Sequence, residues 1–373
     1  MKSVSRVSKL ESYLINRTHG FCPNLQGMEF PLSESLKSHW NLVKALPYEI
    51  YSPRLRTYIS ELPSFRLTDI SSYEETELAT TLLSMLVSAY YWQGDTPCTF
   101  IPSNIGVPFI ELSTYLDRKP IFTLVSCEYH NWALKNPQLP FTSENLKSIY
   151  TFTGSEDESQ FYMISLYIDY LGTPIIHSLL ELFNHLKTSQ AVKASQNLQT
   201  IKEALLSMRK ALDSIFTNVD PYIFYFDFRK YFKNFEKVHF GGVDKSFFGV
   251  LGASAVQSPV FRTLDIGLGI KSGERLLTDI VMYMKKEHRA FLKDLETLVP
   301  PDLRSKVKEL GLAEDWNQVI WNLGRFRKKH LKIAEKYILG PSGQADLIGT
   351  GGSSFTYFLN RVISETHNSL INS

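Results

Sequence analysis

The chain has 373 residues, of which 43% are hydrophobic and 13% aromatic, and this composition excludes a disordered protein. Forty Lys and Arg against 38 Asp and Glu leave a net charge of +2, which gives no reason to expect a nucleic-acid or membrane partner. Three scattered cysteines and the lack of a long apolar stretch exclude a disulfide framework and a membrane span, and favour a soluble cytoplasmic protein.

Helix signals begin at Ser72, which with Glu75 has the spacing of a capping box ahead of an apolar run that Gly94 closes. Six prolines between residues 97 and 140 then predict loops and short helices. Strand patterns are few and short throughout the chain.

The second half of the chain is dominated by helical periodicity. A long apolar helix is predicted over residues 161–187, bent or divided at Gly172 and Pro174. Apolar residues at spacings of three and four predict another helix through residues 198–215. Further helices are predicted over 222–232, 258–270, 274–296 and 355–369.

The helix predicted over residues 316–339, with Gly340 and Pro341 as its stop signal, carries an unusual residue on its buried face. His330 shares one stripe with large apolar side chains and is therefore predicted to point into the core. The other members of the stripe are Val319, Leu323, Phe326, Ile333 and Tyr337.

A buried imidazole needs partners, because an unpaired buried polar group costs about 1–3 kcal/mol. One interpretation of His330 is a core histidine that hydrogen-bonds to nearby backbone. The other is an axial ligand of a haem iron, with the second ring nitrogen on a carboxylate or carbonyl group.

These patterns together predict a mainly α protein in two parts. We expect a smaller N-terminal domain over residues 1–150 and a large helical domain over 151–373. The nucleophile elbow of a serine hydrolase is incomplete at Gly252 to Val256, because the second glycine is missing. The Gly-rich stretch 349–353 either closes over a ligand or is only a flexible connection.

Arg229 lies in a run of aromatic residues, where a guanidinium group needs a fixed anionic partner. A substrate carboxylate and a structural Asp both satisfy that need.

Four long segments resemble the indoleamine 2,3-dioxygenase family of haem proteins, and their order along the chain is that of the family. They are LGASAVQSPVFRTLDIGLGI from Leu251, YMKKEHRAFL from Tyr283, RFRKKHLKIAEKYI around His330 and GTGGSSFTYFL from Gly349. A weaker similarity extends upstream to about residue 40.

The resemblance implies a large helical domain that binds haem b beneath a small N-terminal domain. It implies that His330 is the iron ligand and that Arg327, Asp265, Ser254 and Ala255 border the cofactor. For the Arg327 and Asp265 pair, a purely structural salt bridge remains the alternative. The residues implied on the substrate side are Cys127, Phe161, Ser165, Phe224, Arg229, Ala255, Thr350 and Gly351.

The implied reaction inserts both atoms of O2 across the indole C2–C3 bond of L-tryptophan, giving N-formylkynurenine in tryptophan catabolism. Arg229 would grip the substrate carboxylate, while Ser165 would only tune the oxygen-binding side, because a hydroxyl is a poor general base. The expected partners are L-tryptophan or a related indoleamine, O2, and an electron donor that keeps the iron ferrous.

Three departures from the family pattern put the choice of indole in doubt. Leu124 stands where a tyrosine is usual, Tyr225 where a second phenylalanine is usual, and Val256 where a glycine is usual. Two alternatives therefore stay open, which are monooxygenation of another indole or tryptophan derivative and a non-catalytic haem sensor. A helical scaffold without haem is a third.

Overall fold

The computed structural model describes residues 9–23, 32–243, 245–273, 275–344 and 354–372. This part of the chain is mainly helical, which confirms the predicted fold class. The helices of its N-terminal part are α1 Glu34–Glu49, α2 Leu55–Ser60, α3 Tyr73–Trp92 and α4 Ser103–Tyr115.

Eleven further described helices follow in the chain. They are α5 Glu156–Leu171, α6 Thr173–Lys187, α7 Ala191–Asp213, α8 Ile215–Asn218, α9 Pro259–Gly267, α10 Arg275–Asp279, α11 Lys286–Leu298, α12 Leu303–Glu309, α13 Ala313–Ala334, α14 Gly340–Ser342 and α15 Phe355–His367. None of the helices in the described ranges is both long and apolar enough to cross a bilayer.

Two small sheets lie beside the helices. Strands β1 Phe100–Ile101, β4 Phe235–Phe240 and β5 Lys245–Val250 form one of them, in which β1 is parallel to β4 and β4 is antiparallel to β5. Strands β2 Trp132–Leu134 and β3 Leu146–Ser148 pair antiparallel in the other.

The helical core is built around α7, which packs against α5, α6 and α13, while α15 packs against α13. One hydrophobic cluster runs through the described residues from Leu10 to Ile371. The division into domains at residue 150 stays a prediction.

Two helix ends with local signals were predicted correctly, whereas the stop signal at Gly340 and Pro341 was wrong, because the helical chain continues through Ser342. Ser72 accepts a hydrogen bond from the backbone N–H of Glu75 at 3.1 Å, and α3 begins at the next residue. The predicted helix over 161–187 is divided at Gly172, where a Cβ atom would lie 2.5 Å from the Val260 side chain.

The helix predicted over 274–296 was wrong as one element. Described residues of this stretch form α10, a 3-10 turn Ile280–Tyr283 and then α11. The break brings Lys285 inside the fold, where its Nζ atom lies 3.4 Å from the buried Glu77 carboxylate. A buried ion pair therefore interrupts a helix that the apolar periodicity predicted to continue.

Three π-helical segments replace regular α-helix, and each carries residues of one cavity. They are Val125–Tyr129, Ile223–Phe228 and Glu335–Leu339. An α-helix was predicted over 222–232. The structure has instead the second of these π-helical segments, followed by a 3-10 turn Arg229–Phe232. A π-helix is rare and often marks a functional site, because its wider turn redirects side chains.

Candidate functional site

A cavity lies between α5, α13, α15 and the segment 253–256, and it has two adjoining chambers. We call the first the aromatic chamber, which Phe161, Phe224 and Arg229 line, and the second the ion-pair chamber, which Asp265 and Arg327 line. Together with the solvent space at their mouths, they enclose about 1170 and 1050 Å³.

The two chambers adjoin, and seven residues line both of them. These are Phe161, Ser165, Ala255, Val256, His330, Phe358 and Leu359. The aromatic chamber contains eight of the residues singled out in the sequence, which are Cys127, Phe161, Ser165, Phe224, Arg229, Ser254, Ala255 and His330. Thr350 and Gly351 lie outside the described residues.

His330 borders both chambers from α13 and is half-buried, because its ring faces the cavity. The sequence pattern had predicted that the ring points into the core. The other five residues of its stripe are buried. None of the described residues hydrogen-bonds to its ring, so the interpretation as a core histidine bonded to nearby backbone lacks support in this part of the chain.

Burial lowers the pKa of His330, which favours the neutral imidazole that coordinates a metal. Among the described residues, no three His, Cys, Asp or Glu side chains converge on one point.

Phenylalanines form one wall of the aromatic chamber. The ring of Phe161 lies 4.9 Å from that of Phe224 and 5.9 Å from that of Phe232, parallel to the latter. Such a wall binds a flat aromatic ligand by stacking and edge contacts.

Arg229 brings a positive charge to the same chamber. Its guanidinium lies 5.2 Å from the centre of the Tyr225 ring, and no Asp or Glu of the described residues forms a salt bridge with it. Burial lowers the pKa of Arg229. Partial burial against the chamber wall, and then repulsion from Arg229, lowers the pKa of Lys233 at the edge of the chamber. An anion bound here would raise the pKa of both Arg229 and Lys233, because it favours their charged forms.

Asp265 and Arg327 form a buried ion pair in the ion-pair chamber. Arg327 donates from Nη2 to Asp265 Oδ1 at 2.5 Å and from Nη1 to the Thr366 hydroxyl of α15. Arg262 lies on the other side of Asp265, with Nη1 3.6 Å from Oδ2. One carboxylate therefore balances two guanidinium groups beside His330.

Asp265→Ala should lower the free energy of unfolding by about 3–5 kcal/mol, because it leaves two partly buried arginines without their counter-ion. Urea denaturation measures this value. Asp213→Ala is the matched control: Asp213 pairs with Lys329 of α13 at the surface, and its loss should cost less than about 1 kcal/mol. Equal losses in the two variants would contradict a stabilising role for the buried pair.

Several residues of the cavity were not predicted from the sequence. Arg262 precedes Asp265 by three residues, and this spacing places both side chains on one face of a helix, so their ion pair could have been predicted. Lys233, Phe358 and Glu128 gave no such signal, because packing between distant elements brings them to the cavity.

Cys127 lines the aromatic chamber, and burial raises its pKa well above the usual value. Its thiol is within 3.6 Å of the Leu124 carbonyl oxygen. A thiol that stays protonated is a weak nucleophile, so Cys127 contributes shape and polarisability to the wall.

The chain is similar in sequence to proteins of one family. A model of the Indoleamine 2,3-dioxygenase family matches residues 9–369. The chain is 29% identical to indoleamine 2,3-dioxygenase 1 of Rattus norvegicus, covering 97% of this chain and 96% of the relative. It is 26% identical to indoleamine 2,3-dioxygenase 2 of Homo sapiens over 97% and 95% of the two chains. It is 27% identical to an indoleamine 2,3-dioxygenase of Saccharomyces cerevisiae over 89% and 81%.

Proposed function

Since the chain belongs to the indoleamine 2,3-dioxygenase family and is a dioxygenase of indoles that uses haem b, we propose that its substrate is L-tryptophan. The proposed reaction adds both atoms of O2 across the indole C2–C3 bond, breaks that bond and releases N-formylkynurenine. The observation that carries the proposal is the phenylalanine-walled chamber that holds Arg229 and borders His330.

The residues around the cavity fit a haem. His330 offers a ring nitrogen without a described partner, and Ala255 and Ser254 provide small side chains at the chamber wall. Arg327 and Asp265 border the other chamber and would fix the cofactor's surroundings. When bound, the haem iron supplies the activation of O2.

The protein orients the indole and excludes water. Phe161 and Phe224 would hold the ring by stacking, while Arg229 would fix the amino acid end through a charge-assisted hydrogen bond to the carboxylate. Two fixed ends set the position of C2 and C3 in the chamber, which lowers the entropic part of the barrier. Ser165 serves as a hydrogen-bonding group that tunes the oxygen side, and Thr350 with Gly351 would close over the substrate.

Three further proposals complete this function. Residues 1–150 would form the domain that covers the substrate side, an electron donor would keep the iron ferrous, and the protein would act in the cytoplasm.

Turnover of L-tryptophan under ¹⁸O2 by the reduced, haem-loaded protein should yield a product that is heavier by two labelled oxygen atoms. Mass spectrometry of the product measures this directly. The control is the same protein loaded with haem but kept oxidised, which should leave the substrate unchanged.

The other outcomes identify the alternatives. A product with one labelled oxygen would indicate monooxygenation. A ferrous protein that binds O2 stably and never alters any indole would indicate a sensor.

A further inference from the structure

Glu128 is a buried carboxylic acid in the wall of the aromatic chamber, and the reaction proposed above makes no use of it. It follows Cys127 on the π-helix Val125–Tyr129 and is only 6% exposed. Most of the other side chains that line this chamber are aromatic or aliphatic. An acid in such surroundings destabilises the fold unless it is well bonded.

The bonding of Glu128 is incomplete. Its Oε2 atom is buried and has no hydrogen-bond partner among the described residues. Burial, and then repulsion from Asp169, raises its pKa well above the usual value, while a hydrogen-bonding interaction with the Ser165 hydroxyl acts in the opposite direction. A protonated carboxyl group can both donate and accept a hydrogen bond.

Two other buried acids near this wall show what complete bonding looks like. Asp169 accepts from the Tyr129 and Ser258 hydroxyls, each at 2.6 Å. Glu158 accepts from backbone N–H groups at 2.7 and 2.8 Å and from the Tyr162 hydroxyl at 2.9 Å. These two acids serve the fold, whereas Glu128 keeps bonding capacity beside the chamber.

The chamber therefore offers a ligand three kinds of contact on separate segments. Arg229 and Lys233 attract an anionic group, phenylalanines hold an aromatic ring, and Glu128 with Ser165 offers hydrogen bonds. Unsubstituted tryptophan has one polar group on its ring, the indole N–H. A ring hydroxyl adds a group that can both donate to and accept from a carboxyl group.

Resting on the proposed function, we propose that Glu128 is a specificity-determining residue that hydrogen-bonds a hydroxyl group on the ring of the substrate. The preferred substrate class is then a tryptophan hydroxylated on its six-membered ring. L-tryptophan keeps its contacts to Arg229 and the phenylalanines and remains a substrate, but it binds more weakly because the carboxyl group of Glu128 is then left unpaired.

The test measures equilibrium binding of matched ligands to the full haem-loaded chain by calorimetry. The ligands are L-tryptophan and its 5-hydroxy, 6-hydroxy, 5-methyl and 6-methyl derivatives, since hydroxyl and methyl groups are similar in size. For wild type, we expect a hydroxyl to be preferred over a methyl group by about tenfold or more at one of the two positions.

Glu128→Val should abolish that preference, while Glu128→Gln, whose amide both donates and accepts, should retain most of it. The Val variant should also unfold at a temperature no lower than wild type, because it removes an incompletely bonded acid from an apolar wall. Haem content and circular dichroism verify that both variants are folded.

Each other outcome is decisive. If wild type binds the hydroxyl and methyl derivatives with nearly equal affinity at both positions, the role of Glu128 is overturned even if no variant folds. An unchanged hydroxyl preference in Glu128→Val also overturns it. In both cases turnover of L-tryptophan would leave the proposed function intact. If the wild type binds none of the five compounds, the proposed function fails and this inference fails with it.

Discussion

His330→Ala is expected to abolish retention of haem. Among the described residues, His330 is the imidazole that borders both chambers, and its ring has no hydrogen-bond partner there. Loss of a group that merely supports a metal ligand lowers affinity by roughly 10- to 100-fold, so loss of the ligand itself should cost more. Absorption spectra of the purified protein, reduced and under carbon monoxide, measure haem per chain and the identity of the axial ligand.

The fold of the variant should survive, because no described hydrogen bond is removed with the ring. Haem should therefore raise the unfolding temperature of wild type and leave that of the variant unchanged. His185→Ala is the matched control, since that ring hydrogen-bonds to Asn197 between α6 and α7 and should not affect the cofactor. Wild-type haem content in His330→Ala would show that the iron ligand is elsewhere.

Local signals predicted much of the helical fold. Ser72 caps α3 as expected, but Glu75 does not complete the capping box with Ser72. Its carboxylate accepts from the backbone N–H groups of Ser33 and Ser71, each at 2.8 Å. One of these partners, Ser33, lies 42 residues away, and no short-range pattern could predict that bond.

The same limit applies to the cavity. Periodicity identified His330 as an exception on an apolar stripe, and the aromatic run around Arg229 singled out that residue. The resemblance to a family added Asp265 and Arg327. Periodicity alone could not distinguish a face that borders the core from one that borders a cavity, because both require inward-facing residues. A single acid such as Glu128 within a buried stretch is not part of any periodic pattern, so no sequence signal marks it. Its place in the wall is known only from the packing of α5 against the π-helix Val125–Tyr129.

Arg229→Ala is expected to raise the KM for L-tryptophan by roughly 10- to 150-fold, as a hydrogen bond to a charged group contributes about 1.5–3 kcal/mol. The half-buried guanidinium of Arg229 has no carboxylate partner among the described residues, and the nearby Lys233 adds to the positive potential. Arg229→Lys should fall between wild type and Ala, because a lysine keeps the charge but loses the two-pronged geometry. Steady-state kinetics at saturating O2 measure these changes.

Tryptamine separates carboxylate binding from every other role of Arg229, because it is the same indole without the carboxylate. If Arg229 holds that group, Arg229→Ala should reduce kcat/KM for L-tryptophan far more than for tryptamine. Lys230→Ala is the matched control: that neighbouring cation lies over the Tyr231 ring at 5.0 Å and should leave the ratio of the two substrates unchanged. Equal losses for both substrates would remove Arg229 from the carboxylate site, and a loss of haem in Arg229→Ala would assign the guanidinium to a cofactor propionate.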